Sequence, residues 1–190
     1  MVNERDLIYD WNKVQSEPHR NPGSHPHPVW FDDETLRDGL QSPSARNPSI
    51  EQKIELLSFM EDLGIQKVDL GLPGAGQFHL SHIDSLLSHM RSNDYQIRPG
   101  CAVRTVISDI EPLIELQSRH EIQIQASAFL GTSPIRQYAE GWTMEKIMNT
   151  AEVAVEFAVD NDIPVMFVTE DTTRSRPDDI KAVYTRAIEL

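Results

Sequence analysis

From Val29 to Leu190 the chain alternates short apolar runs with longer stretches in which apolar residues return every three or four positions. The first kind of run suits a buried strand and the second one face of a helix. Val29-Trp30-Phe31 opens the series. A helix follows with Ile50, Ile54, Leu57, Met60 and Leu63 on one face, Ser49 and Gln52 at capping-box spacing before it, and Gly64 as its stop. Lys67 to Leu70 reads as the next strand, turning at Gly71-Leu72-Pro73-Gly74 into a helix that carries Leu80, Ile83, Leu87 and Met90. A third strand lies near Cys101 to Arg104. Ser108 and Glu111 have the spacing of a second capping box, which opens a helix with Ile110, Leu113, Ile114 and Leu116 and leaves Pro112 in its first turn, where the absent N–H is not missed. A strand from Ile122 to Ala128, a helix from Thr143 to Ala158, a strand from Pro164 to Val168, and a helix from Pro177 through Ile180, Val183, Tyr184, Ala187 and Ile188 complete the series. Repeated strand-helix units predict an α/β fold with a parallel sheet.

Ahead of this region the pattern is lost. Residues 17–28 hold four prolines and three histidines without hydrophobic periodicity, so residues 1–28 are expected to be an N-terminal extension and 29–190 the domain. Within the extension, Leu7, Ile8, Tyr9 and Trp11 suit a short docking segment. A hydrophobic content of 39% in 190 residues suffices for one substantial core. The net charge of −13 argues against nucleic acid and anionic membranes as partners. No apolar stretch is long enough to span a bilayer and no secretory leader is evident, so a cytoplasmic location is expected. Cys101 is the single cysteine; it excludes an internal disulfide and suits a core thiol.

Chemistry concentrates directly after the first apolar run, in Asp33-Glu34-Thr35-Leu36-Arg37-Asp38-Gly39-Leu40-Gln41-Ser42-Pro43. Arg37 can stabilise a developing oxyanion, and Asp38 beside it can hold a divalent cation that polarises the same oxygen. Taken as an isolated pair, Arg37 and Asp38 would be a solvated turn. The whole string resembles the signature Asp-x-Thr-Leu-Arg-Asp-Gly-x-Gln of the metal-dependent aldolase-type TIM barrels, the family of 2-isopropylmalate, homocitrate and citramalate synthases and of hydroxymethylglutaryl-CoA lyase. Ser42-Pro43 continues the likeness toward the synthases, whereas Leu40 stands where they usually carry Glu. Further along, Val68-Asp69-Leu70-Gly71-Leu72-Pro73 is similar to the family's Glu-x-Gly-Phe-Pro element, with Asp69 in the acidic position. Gly131-Thr132-Ser133-Pro134-Ile135 resembles its Thr-Ser-Pro-Ile segment, with Arg136 where histidine is common. Glu170-Asp171-Thr172-Thr173-Arg174 resembles its Glu-Asp-Ala-x-Arg run.

The resemblance implies a partial (β/α)8 barrel. About five strand-helix units are present against the eight of a closed barrel, so a C-terminally truncated barrel is expected, and its open sheet edges favour a homo-oligomer. It also implies a Claisen-type condensation of acetyl-CoA with a 2-oxo acid, assisted by Mg, Mn or Zn. In that scheme Asp38 is a metal ligand, Arg37 and Glu170 are catalytic, and Gln41, Asp69, Arg104 and Thr132 contact substrate, with Thr105 a weaker candidate. Glu170 and Asp171 have a second reading as caps of the next helix. The family's His-x-His metal pair has no counterpart late in this chain. His25-Pro26-His27 lies ahead of the first strand with no rigid element to orient the rings, and His79 and His82 suit an exposed pair on one helical face. Two other readings stay open: a lyase running the reverse carbon chemistry, toward which Leu40 points, and a non-catalytic fragment or binding module.

Overall fold

The computed structural model describes Leu7 and residues 29–190. The expected extension, with the rest of its docking segment and the His25-Pro26-His27 pair, lies outside the described residues.

Five parallel strands pair in chain order: β1 (Asp32–Asp33), β2 (Lys67–Asp69), β3 (Arg98–Arg104), β4 (Gln125–Leu130) and β5 (Val165–Thr169). Between and after them run α1 (Ile50–Asp62), α2 (Gln77–Ser92), α3 (Ile107–His120), α4 (Pro134–Glu140), α5 (Met144–Asp160) and α6 (Pro177–Glu189). The sheet curls into part of a (β/α)8 barrel, as expected. Leu57 of α1, Ile83, Leu86 and Leu87 of α2, and Ile110 and Leu113 of α3 pack with Val68, Cys101 and Val103 of the sheet into one core. Each such Leu or Ile contributes about 1.5–3 kcal/mol by leaving water. Burial pushes the Cys101 thiol pKa well up, in keeping with a core thiol. Among the described residues no helix is long and apolar enough to cross a membrane.

The first cap is as the spacing predicts: Gln52 N–H donates to Ser49 Oγ at 3.4 Å, Ser49 N–H donates to Gln52 Oε1 at 3.0 Å, and Gly64 ends the helix at φ +72°. Three details differ. Val29, Trp30 and Phe31 precede the first strand and are exposed, because among the described residues β1 is paired on one side only and has no outer neighbour to cover them. Pairing starts at the Phe31 carbonyl, which accepts from Lys67 N–H at 3.1 Å. A short helix, α4, separates β4 from α5; Ser133 Oγ caps it and Pro134 fills its first turn.

The third difference concerns α3. This helix starts at Ile107 with Val106 as its cap, so Ser108 lies inside it and no capping box forms. The side chain next to Ser108, Asp109, is turned back onto Arg104. Pro112 consequently lies beyond the first turn, where its missing N–H removes a helical hydrogen bond. Pro112→Ala is therefore expected to stabilise the chain by about 1–3 kcal/mol, read as a raised urea midpoint at an unchanged slope.

Candidate active site at the C-terminal edge of the sheet

The segment after β1 is bound by its own backbone. Thr35 N–H donates to Asp33 Oδ1 at 2.8 Å, and Arg37 and Gly39 N–H both donate to the Glu34 carbonyl, at 3.2 and 3.0 Å. Leu36 is buried and anchors this turn in the core, which leaves Arg37 and Asp38 facing outward over the sheet. The guanidinium is held from two sides: Nε donates to Glu34 Oε2 at 2.7 Å and Nη1 to Asp38 Oδ1 at 3.2 Å. Two oriented contacts of this kind preorganise an arginine for one task.

At the end of β2, Asp69 is 2% exposed. Its Oδ1 accepts from Gly71 N–H at 3.0 Å and Ala102 N–H at 3.2 Å, whereas the buried Oδ2 accepts no hydrogen bond and lies 3.9 Å from Arg37 Nε. Burial pushes the pKa of this carboxyl up to about 7; Glu34 adds to the rise, and the Gly71 and Ala102 N–H groups and Arg37 oppose it. Gly71, at φ +142°, supplies the turn that aims its N–H at Asp69.

Glu170 follows β5 and pairs with Arg136 at 3.4 Å. Both lie over Gly131, where a Cβ would stand 2.9 Å from Glu170 Oε1 and 2.8 Å from Arg136 Cγ. Any larger residue would displace them. Arg37, Asp38, Gln41, Asp69 and Glu170 then share one cleft of about 400 Å³, floored by Ser127, Phe129 and Met166 of the sheet's inner face. Strand ends at the C-terminal edge of a parallel barrel are where such enzymes gather reactive groups.

Two candidates lie elsewhere. Arg104 grips Asp109 with Nε at 2.8 Å and Nη2 at 2.7 Å, and its own N–H donates to the same carboxylate. Thr132 is fully buried, with Oγ1 2.7 Å from Ser175 Oγ and its N–H donating to Asp171 Oδ1 at 2.8 Å. Thr105 is also buried. The Asp171 side chain makes no capping hydrogen bond to the short 3-10 turn that follows it; its Oδ2 takes the Ser133 N–H at 3.0 Å, so it ties the loop after β5 to the loop after β4. His79 is exposed as expected, but His82 is not; its Nδ1 is buried and accepts or donates no hydrogen bond. Glu34 and Ser127 were not singled out by the sequence. The spacing of Glu34 three residues ahead of Arg37 was the available signal for the first, and nothing local marks the second.

Residues 28–190 match the HMGL-like family. The chain belongs to that family. Among curated relatives of this HMGL-like chain, it is 28% identical over 158 residues to the 2-isopropylmalate synthase of Sediminispirochaeta smaragdinae, covering 83% of this chain and 30% of the relative. It is 27% identical over 153 residues to homocitrate synthase AksA of Methanosarcina acetivorans, with 80% and 35% covered. With the 2-isopropylmalate synthase of Methanocaldococcus jannaschii the identity is 30% over 166 residues, with 86% and 30% covered. The HMGL-like chain thus spans about a third of the length of these relatives. Among its described residues, no group of three or more His, Cys, Asp and Glu side chains converges as a metal site would require.

Proposed function

We propose that the cleft belongs to an acyltransferase of the 2-isopropylmalate synthase type, which condenses acetyl-CoA with a 2-oxo acid. The observation that carries this reading is the convergence of Arg37, Asp38, Gln41, Asp69 and Glu170, from the ends of three strands, on one cleft. Arg37 is held in place before substrate arrives, so its guanidinium meets the oxyanion that forms when the oxo-acid carbonyl is attacked. The Gln41 amide, on the same loop, orients a substrate carboxylate. Asp69 titrates near neutrality beside Arg37, which suits it to holding or releasing a proton at Oδ2. Glu170 fixes the far wall through Arg136.

Asp38 is the proposed metal ligand. Its carboxylate is 65% exposed on the cleft rim and offers hard oxygen donors that suit Mg or Mn. One carboxylate does not hold a divalent cation, and the described residues do not fit one by themselves. Homo-oligomerisation remains part of the proposal. The lyase reading rests on Leu40, whose side chain lines a different pocket behind the loop and not the cleft.

The test is release of CoA thiol from acetyl-CoA by the 190-residue chain with a panel of 2-oxo acids and Mg, Mn or Zn in turn. Release that needs one oxo acid and falls about 100-fold or more in Asp38→Asn is the expected result. Thiol release that ignores the oxo acid, or none above the Asp38→Asn background, would overturn the proposal.

A further inference from the structure

Behind the Arg37 loop, between α1 and α2, lies a second cavity of about 210 Å³. Lys53 of α1 reaches into it, only 5% exposed. Among the described residues no carboxylate comes within ion-pair distance of its ammonium, and the contact it makes is with the Phe78 ring at 6.0 Å. The stem is buried while the ammonium keeps access to the pocket, and this partial desolvation draws the Lys53 pKa down. Facing it from α2 is His82, whose ring lies against Phe78 at 4.3 Å and whose buried Nδ1 has no hydrogen-bond partner. Burial, Lys53 and His79 all hold His82 toward its neutral form. Glu51 opposes them weakly; it is exposed and engaged by the Ser49 cap.

Lys53, without a counter-ion, and His82, with an unpartnered Nδ1, therefore line one pocket from different helices. Leu36, Leu40, Leu70 and Leu72 supply its aliphatic wall, and Arg37, Gln41, Asn47 and His79 add polar edges. The volume admits about seven atoms of water size. An anion entering here would give Lys53 the counter-charge it lacks and His82 the partner it lacks. A phosphate would leave the leucine wall unused. We propose that this pocket binds the carboxylate of a small aliphatic acid, with Lys53 and His82 on the two oxygens and the leucines around the hydrocarbon. The site adjoins the cleft and shares Arg37, Gln41 and Leu72 with it. The inference does not depend on the acyltransferase reading.

Side-chain NMR of the 190-residue chain tests it, with isobutyrate as probe and isobutyramide and inorganic phosphate as comparisons. Isobutyrate is expected to shift the His82 ring and Lys53 Cε resonances together and saturably, leave His89 in place, and raise the pH at which His82 titrates. Lys53→Met, which keeps a straight apolar chain in the same space, is expected to weaken binding about tenfold or more, and Lys53→Arg to retain it. The absence of a saturable His82 shift in the unmutated chain would overturn the proposal whether or not the Lys53→Met variant folds. So would equal shifts with isobutyramide, unchanged affinity in a folded Lys53→Met, or saturation by phosphate but not by isobutyrate.

Discussion

At pH 8, Asp69→Asn is expected to unfold at a higher urea concentration than the unmutated chain, and the margin closes as the pH is lowered toward 4. The cause is the carboxyl at the end of β2, whose pKa rises from 3.8 to about 7 on folding. Below pH 4 the carboxyl is protonated in both states. Between about 4 and 7 the unfolded chain releases the proton and the folded chain keeps it, so stability falls as pH rises, and above 7 it levels off. At about 1.4 kcal/mol per unit, the full loss is of order 4 kcal/mol. The Asn amide is uncharged, and its oxygen keeps the hydrogen bonds from Gly71 and Ala102, so the variant escapes that loss. Urea melts of both proteins at pH 4, 6 and 8 decide the matter. A variant less stable than its parent at pH 8 would mean that Arg37 holds Asp69 ionised, against the dominance of burial. A residue that weakens the fold at the pH where a cell works is the expected signature of a group kept for chemistry.

The second large effect is structural. Asp171→Ala is expected to cost about 3–5 kcal/mol and to lower the thermal midpoint accordingly, because it strands two buried N–H groups, on Thr132 and Ser133, at about 1–3 kcal/mol each, and also removes the acceptor for Ser175 Oγ. Asp171→Asn retains one of the two acceptors and should lose roughly half as much. The pH dependence has the opposite sign to that of Asp69. Burial alone would raise the Asp171 pKa, but the Ser133, Thr132 and Ser175 donors outweigh it and bring it below the ordinary value. The stability it contributes is thus present above the unfolded-state pKa and lost as pH falls through the folded one. An Asp171→Ala protein within about 1 kcal/mol of its parent would show that water reaches both N–H groups.

What could be seen in the sequence was whatever local rules encode. Ser49 and Gln52 cap a helix with their own neighbours, so four residues hold the whole signal. Arg37, Asp38 and Gln41 lie within one loop, and the strand ends that bring Asp69 and Glu170 to them follow from unit order in a parallel barrel. The misses have several causes. Val29-Trp30-Phe31 has strand composition, but burial depends on what pairs outside it. Ser108 has cap chemistry, yet the guanidinium of Arg104 competes for Asp109 and the helix starts earlier. Thr132 has the right position in its motif, but Ser175, a long way on in the chain, takes its hydroxyl. Nothing local marks Lys53 for burial, which comes from the packing of α2 against α1. For Thr132 and Lys53 a partner distant in sequence decided the outcome.

The strand order of the sheet, in which every strand lies beside its neighbour in the chain, also says how such a molecule comes into being. Among the described strands no pairing has to wait for a distant segment. Each strand-helix unit can dock on the one made just before it, with loop-closure costs limited to a single crossover at a time. Synthesis from the N-terminus delivers the units in the order in which they are needed, so the growing chain always carries a template for the piece that emerges next.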